Sequence, residues 1–274
     1  MSSESEDTTF HAMPAQPEDS GQHRTANVEL AIAGRKLRLQ LSVSTGPARA
    51  GDFMPLFRSL SDSLAAIAVE LVEGESGKIS CQKKCAACCR QMVPLSEIEA
   101  RAISDLVDAM PEPRRSVVRG RFAEARRKAE EAGLLADLME IGEIKPSENL
   151  SFALEYFRQW ITCPFLEDEM CSIYAERPIA CREYMVITPA DRCFTRDLDN
   201  VKSVRVRANL MRAMSRIGAG ESCRERPWIA LILACEWADA HPDESVPRPG
   251  TEIVSEFFSH LTGHDLPDSE EAGS

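Results

Sequence analysis

Thiols a few residues apart can converge on one soft or borderline cation, and this sequence crowds its thiols into two segments. The first is Cys81-x3-Cys85-x2-Cys88-Cys89, within CQKKCAACC. The second is Cys163-x7-Cys171-x9-Cys181-x11-Cys193. Eight of the ten cysteines fall in these segments and four stand within nine residues, which random scatter does not produce. Zinc takes four such ligands in a tetrahedron at about 2.3 Å, and iron–sulfur clusters are held by four Cys thiolates as well. Each segment carries enough thiols for one site, and the two can also pool their ligands into a larger one.

Two details give a slight lean to iron, as an iron–sulfur centre, over zinc. Cys88 and Cys89 are adjacent, so their side chains are expected to diverge and either serve different metal atoms or leave one of the pair packed. Cys163 is followed by Pro164, and proline after a ligating cysteine recurs in ferredoxins. Buried cysteines acting as small hydrophobes are the bland alternative. That alternative suits Cys235, which sits among Ile229, Ile232 and Leu233. Cys223 has no partner at a useful spacing and is read as a non-ligand.

Bulk properties narrow the setting. Hydrophobic residues make up 43% of 274, enough for a packed core, and the net charge is −12. An acidic chain repels nucleic-acid phosphates and anionic lipid, so neither is expected as a partner. The longest apolar run, Trp228 to Cys235, is eight residues, short of the roughly 20 that a spanning helix needs. The N-terminus is acidic and carries no apolar segment after a basic start. A cytoplasmic protein is expected, and a reducing compartment argues for metal rather than disulfides.

The elements that must position the thiols read as mostly α, a compact helical domain with a loop-borne Cys metal site and a small N-terminal β hairpin. Residues 1–26 and 264–274 are polar and read as disordered tails. Val28, Leu30 and Ile32, then Leu37, Leu39, Leu41 and Val43, alternate about a turn at Gly34-Arg35, which predicts a hairpin with one apolar face. Residues 52–73 switch to helical spacing, with Leu56, Leu60, Leu64, Ile67 and Leu71 on one face, so 27–75 is a hairpin plus a helix. Residues 76–263 are read as the cysteine-bearing helical domain. In it Ser96-x-x-Glu99 is a capping box that opens a helix stopped near Pro111. A second helix runs from about Arg114, with Val118, Phe122, Ala125 and Ala129 in register and a break at Gly133. A third covers roughly 151–160, and two more are expected over about 199–217 and 227–239.

The combined pattern of C-x3-C-x2-C-C followed by CPFL, CSIY, ERP and ACREY resembles the YkgJ-type cysteine-cluster family, and Cys193 resembles an addition found in one branch. The resemblance covers residues 81–193 and implies a zinc- or iron-chelating domain. It implies that Cys81, Cys85, Cys88, Cys89, Cys163, Cys171 and Cys181 form the metal centre, with Cys193 added. It also implies that Tyr174, Arg177, Pro178 and Arg182 belong to the motif, where the arginines would offset thiolate charge or make ordinary salt bridges. Flagellin lysine N-methylases form one branch, which implies a metal-dependent protein-modifying enzyme as an alternative; a redox sensor or electron-transfer protein is another. Partners are then the metal ion and a protein partner or substrate.

Three further features read as background. Cys81-x3-Cys85-x2-Cys88 has the spacing of radical S-adenosylmethionine enzymes, but Ala87 replaces the usual aromatic and helices follow where strands are needed. The basic stretch from Arg114 to Lys128 reads as a solvated helix face. The five histidines lie outside the cysteine motifs, and none is assigned as a ligand. No residue is assigned as a catalytic acid, base or nucleophile.

Overall fold

The computed structural model describes residues 10–11, 23–32, 34–75, 77–141, 149–195, 201–204, 206, 208–218 and 228–263. Cys223 and residues 264–274 lie outside them, as does most of 1–26. Within 1–26 two pieces are strands: β1 (Phe10–His11) and the beginning of β2 (His23–Ile32). β2 pairs antiparallel with β3 (Arg35–Ser44), from Ile32↔Arg35 to His23↔Ser44, and β1 joins β3 in parallel. The alternating apolar residues Val28, Leu30, Ile32, Leu37, Leu39, Leu41 and Val43 are all buried on one face. Gly34 makes the turn at φ 83°, a left-handed conformation that glycine adopts at no steric cost.

A hairpin has too little apolar area to hold itself, and helices from both ends of the chain cover it. α1 (Met54–Gly74) buries Met54, Phe57, Leu60 and Leu64 against it. α9 (Gly250–Thr262) adds Ile253, Val254, Phe257 and Phe258, and the rings of Phe57 and Phe257 meet at 4.5 Å. The join is tight: β4 (Pro47–Ala48) pairs with β9 (Arg248–Pro249), and a Cβ on Gly250 would stand 2.7 Å from the Ser44 carbonyl oxygen. α9 is not among the expected helices, although its apolar positions are spaced for one and left-handed Gly263 ends it.

The middle of the chain follows its periodicity closely. β5 (Pro94–Leu95) leads into α2 (Glu97–Asp108), whose capping box is formed on both sides by Ser96 and Glu99. α3 (Arg114–Glu131) buries Val118, Phe122, Ala125 and Ala129, and Gly133 at φ 73° separates it from α4 (Leu135–Met139). The exposed side of α3 is laced with ion pairs such as Arg127–Glu124 and Arg126–Glu236. α5 (Asn149–Gln159) matches the third expected helix.

Two expected helices are corrected. Of 199–217 only α7 (Leu210–Ser215) is helical among the described residues. Val201–Val204 runs extended instead, because Ile187 and Val204 N–H groups pair with the carbonyls of Lys202 and Met185 at 3.0 and 2.8 Å. Of 227–239 the first part is β8 (Ile229–Ala230), paired with β5, and only α8 (Ala234–Ala240) is α-helical. The fold is mostly α with small sheets. Among the described residues no helix is long and apolar enough to cross a membrane.

Phe257→Ala removes a fully buried ring from the core that joins the two ends of the chain. Urea unfolding is expected to show a loss of about 3–5 kcal/mol. A loss below about 1 kcal/mol would show that α9 and the hairpin do not share a core.

Candidate metal centre

The first cysteine segment turns twice. Lys84 is left-handed at φ 68° in a turn closed by the Cys85 N–H to the Gln82 carbonyl, and Ala87–Arg90 form a single 3-10 turn that carries Cys88 and Cys89. The two adjacent thiols do not diverge: they hydrogen-bond each other.

The second segment is docked onto the first by backbone. The Cys163 N–H donates to the Cys89 carbonyl at 2.8 Å, and the Leu166 N–H returns to the Cys163 carbonyl. β6 (Leu166–Glu167) and β7 (Met170–Cys171) then form a hairpin whose two turn residues, Asp168 and Glu169, both have positive φ. Such a turn matches the strand twist and folds Cys171 back opposite Leu166. Arg90, next to Cys89, holds the tip of this hairpin through paired hydrogen bonds of 3.2 and 2.8 Å to Glu169. It also donates to the Ala86 carbonyl and lies 5.0 Å from the Trp160 ring centre.

Cys181 rides on α6 (Ile179–Glu183), a helix too short to stand alone. Two buried groups fix it, Glu99 and Arg182. The Glu99 carboxylate accepts from the Ile179 N–H at 2.8 Å while it caps α2. Arg182 is buried, donates to the carbonyls of Arg177 and Ala175, and pairs with Asp62 of α1 at 2.6 Å. Arg182 thus makes structural bonds. Arg177 is the arginine that stands near thiols, with its charge acting on Cys88 and Cys171, its guanidinium stacked 4.1 Å from the Tyr174 ring centre, and its Nε buried without a partner. Cys193 lies in a 3-10 turn, Ala190–Phe194, buried against Ala87 and Val186.

The placing of the cysteines differs in one respect from expectation. Cys81, Cys85 and Cys163 lie on irregular chain; Cys88, Cys89, Cys171, Cys181 and Cys193 lie on short 3-10, strand or helical pieces. Such pieces satisfy their own backbone groups and so fix the direction of a side chain better than a loop does. Cys235 is buried in the apolar cluster with Leu95, Ile229 and Leu231, as its core reading requires.

Burial pushes the thiols of Cys81, Cys171, Cys181 and Cys193 up, and that of Cys163 to about 12. Cys88 is pushed up first by its bond to Cys89 and then by burial. Opposing this, the Phe165 and Ile173 backbone N–H groups hydrogen-bond the thiols two residues before them, Cys163 and Cys171. Donors of that kind favour the thiolate. For Cys81, Cys88, Cys163, Cys171, Cys181 and Cys193 the net shift is upward, so a bound cation would have to displace protons from them. As a donor set they suit zinc or iron. Among the described residues no three His, Cys, Asp or Glu side chains are drawn into a metal-holding group.

Part of the chain, less than half of it, is similar to a known family. Residues 80–202 match the CxxCxxCC family, described as "Putative zinc- or iron-chelating domain". No curated protein and no solved structure matches the chain. The CxxCxxCC match takes in both cysteine segments and the elements from β5 to α6, and leaves out the hairpin, α1 and α7–α9. The residues outside the match therefore supply the core on which α6 rests, through Ile179.

Sequence reasoning missed Arg90 and the reach of Glu99. The position of Arg90 directly after the cysteine pair was a usable signal; nothing local announces that Glu99 also caps a helix 80 residues on. A cleft of about 200 Å³, lined by Arg121, Glu124, Lys128, Thr162 and Leu166, opens onto Cys163.

Burial raises the Glu183 carboxyl to about 7 from 4.5, against the hydrogen bond from Ser61. The folded state then binds this proton more tightly than the unfolded chain, so stability falls as pH rises from 4.5 through 7. Glu183→Gln keeps the shape and removes the titration. It is expected to match the wild type near pH 5 and exceed it by about 1–2 kcal/mol at pH 8, in paired urea melts. Equal pH dependence in both proteins would contradict this.

Proposed function

We propose that this protein binds zinc or iron through Cys81, Cys85, Cys88, Cys89, Cys163, Cys171, Cys181 and Cys193, as a metal-dependent folding unit. The observation that carries the reading is the meeting of the two cysteine segments at one place, where the Cys163 N–H donates to the Cys89 carbonyl. Gathering this many thiols in a chain with a net charge of −12 sets their thiolate forms against one another unless a cation is present. The bound metal would supply positive charge that stabilises the thiolates and cross-links the segments. The family description supports chelation of zinc or iron without choosing between them.

The surplus of thiols over four and the Cys163-Pro164 pair keep the slight lean to iron. Metal analysis and an absorption spectrum on protein purified without air separate the two metals. Iron with acid-labile sulfide and a broad band at roughly 400 nm supports an iron–sulfur centre, and zinc with no visible band overturns the lean. Cys85→Ser and Cys181→Ser are each expected to lower metal content and the melting temperature. Full metal and unchanged stability in both variants would sink the assignment of these cysteines.

A further inference from the structure

The sequence has 44 acidic residues, yet no Asp or Glu stands between Glu75 and Glu97, the stretch that holds the first cysteine segment. Lys78, Lys83 and Lys84 lie in that stretch, and all three are exposed. Among the described residues none of the three is held in an ion pair. The basic residues of α3, by contrast, are neutralised in place: Arg115 pairs with Glu112, Arg119 with Asp108, Arg126 with Glu236 and Arg127 with Glu124.

Two further pieces of chain lie beside this stretch. The Ser80 N–H donates to the Val186 carbonyl at 2.9 Å, Val186 forms an antiparallel bridge with Ser203, and the Ile187 N–H donates to the Lys202 carbonyl at 3.0 Å. Ala87, Val186 and Cys193 share one small apolar cluster, and Val201 packs against it. These pieces bring in Arg192 and Lys202, which are also exposed and without an ion pair among the described residues. The one carboxylate between Met185 and Cys193, that of Asp191, accepts from the backbone N–H of Arg192. Ile187 and Phe194 are exposed apolar side chains on the same pieces.

We propose that Lys78, Lys83, Lys84, Arg192 and Lys202 form a docking surface for a protein partner that presents an acidic face with apolar residues at its centre. Charge complementarity carries the choice. On a chain with a net charge of −12, a cationic patch attracts an acidic partner while the rest of the surface repels it, so the partner is held in one place and one orientation. Ile187 and Phe194 supply the apolar contact that a protein interface places inside its rim of charge. A nucleic acid or an anionic bilayer reaches past such a patch onto the acidic remainder and is repelled there. A partner seated here lies beside Cys81, the exposed cysteine of the first segment, whether or not the thiols hold metal.

Fluorescence anisotropy of a labelled glutamate–leucine peptide, titrated with the full-length protein, tests this. Binding is expected at low salt and is expected to weaken as salt rises to physiological strength. Lys83→Glu with Lys84→Glu is expected to weaken it about tenfold or more, and Lys202→Glu, on a different piece of chain, about threefold or more. Arg127→Ala, on the ion-paired face of α3, is expected to bind as the wild type does. Circular dichroism checks the fold of each variant, and Lys202→Glu keeps the test open should the double variant lose its fold. No binding of the peptide, or equal binding by the wild type and the lysine variants, would overturn the surface. Tighter binding of single-stranded DNA or phosphatidylglycerol vesicles through the same lysines would overturn the choice of a protein partner. Neither result bears on metal content, which is measured separately.

Discussion

One backbone hydrogen bond, from the Cys163 N–H to the Cys89 carbonyl, stands at the centre of this structure. It joins segments that the sequence separates by helices α2 to α5. Thiols repel one another once ionised and attract little while neutral, so they do not assemble themselves. The scaffold must bring them together and accept the cost. The bond does so at the point where the adjacent cysteines sit, and Arg90 extends the join by holding the β6–β7 hairpin through Glu169.

The rest of the scaffold answers the same need by stiffening short pieces. α6 has five residues, and its helical state rests on Glu99 at its N-terminus and on Arg182 reaching two carbonyls and Asp62. A buried carboxylate and a buried guanidinium are expensive unless every lone pair and proton finds a partner. Here half of those partners, the Ile179 N–H and the carbonyls of Arg177 and Ala175, belong to the chain just before or within α6. Burial that would otherwise count against the fold thus becomes a way of fixing where Cys181 points.

What could be read from the sequence, and what could not, divides by range. The face of α3, the Ser96–Glu99 box and the β2–β3 hairpin follow from periodicity and capping within a few residues, and all three are present. The cysteine spacing announced a donor set without its arrangement. The meeting of Cys88 and Cys89 depends on a single 3-10 turn, and the Glu99–Ile179 bond on tertiary packing. Residues 201–204 are extended because the strand-like chain at Met185–Ile187 offers partners, which no local propensity encodes. α9 was legible in principle from Ile253, Val254, Phe257 and Phe258, yet the reading that placed 76–263 in the helical domain assigns no helix beyond about 239.

The closure of the hairpin by α9 has a consequence for how the molecule is made. Synthesis runs from the N-terminus, and the apolar face of β2 and β3 emerges more than 200 residues ahead of Phe257 and Phe258, which finish covering it. All eight clustered cysteines leave the ribosome in that interval, before the core beneath α6 is complete. The thiols are thus made before α9, whose Phe257 and Phe258 share a core with Ile179 of the helix that carries Cys181.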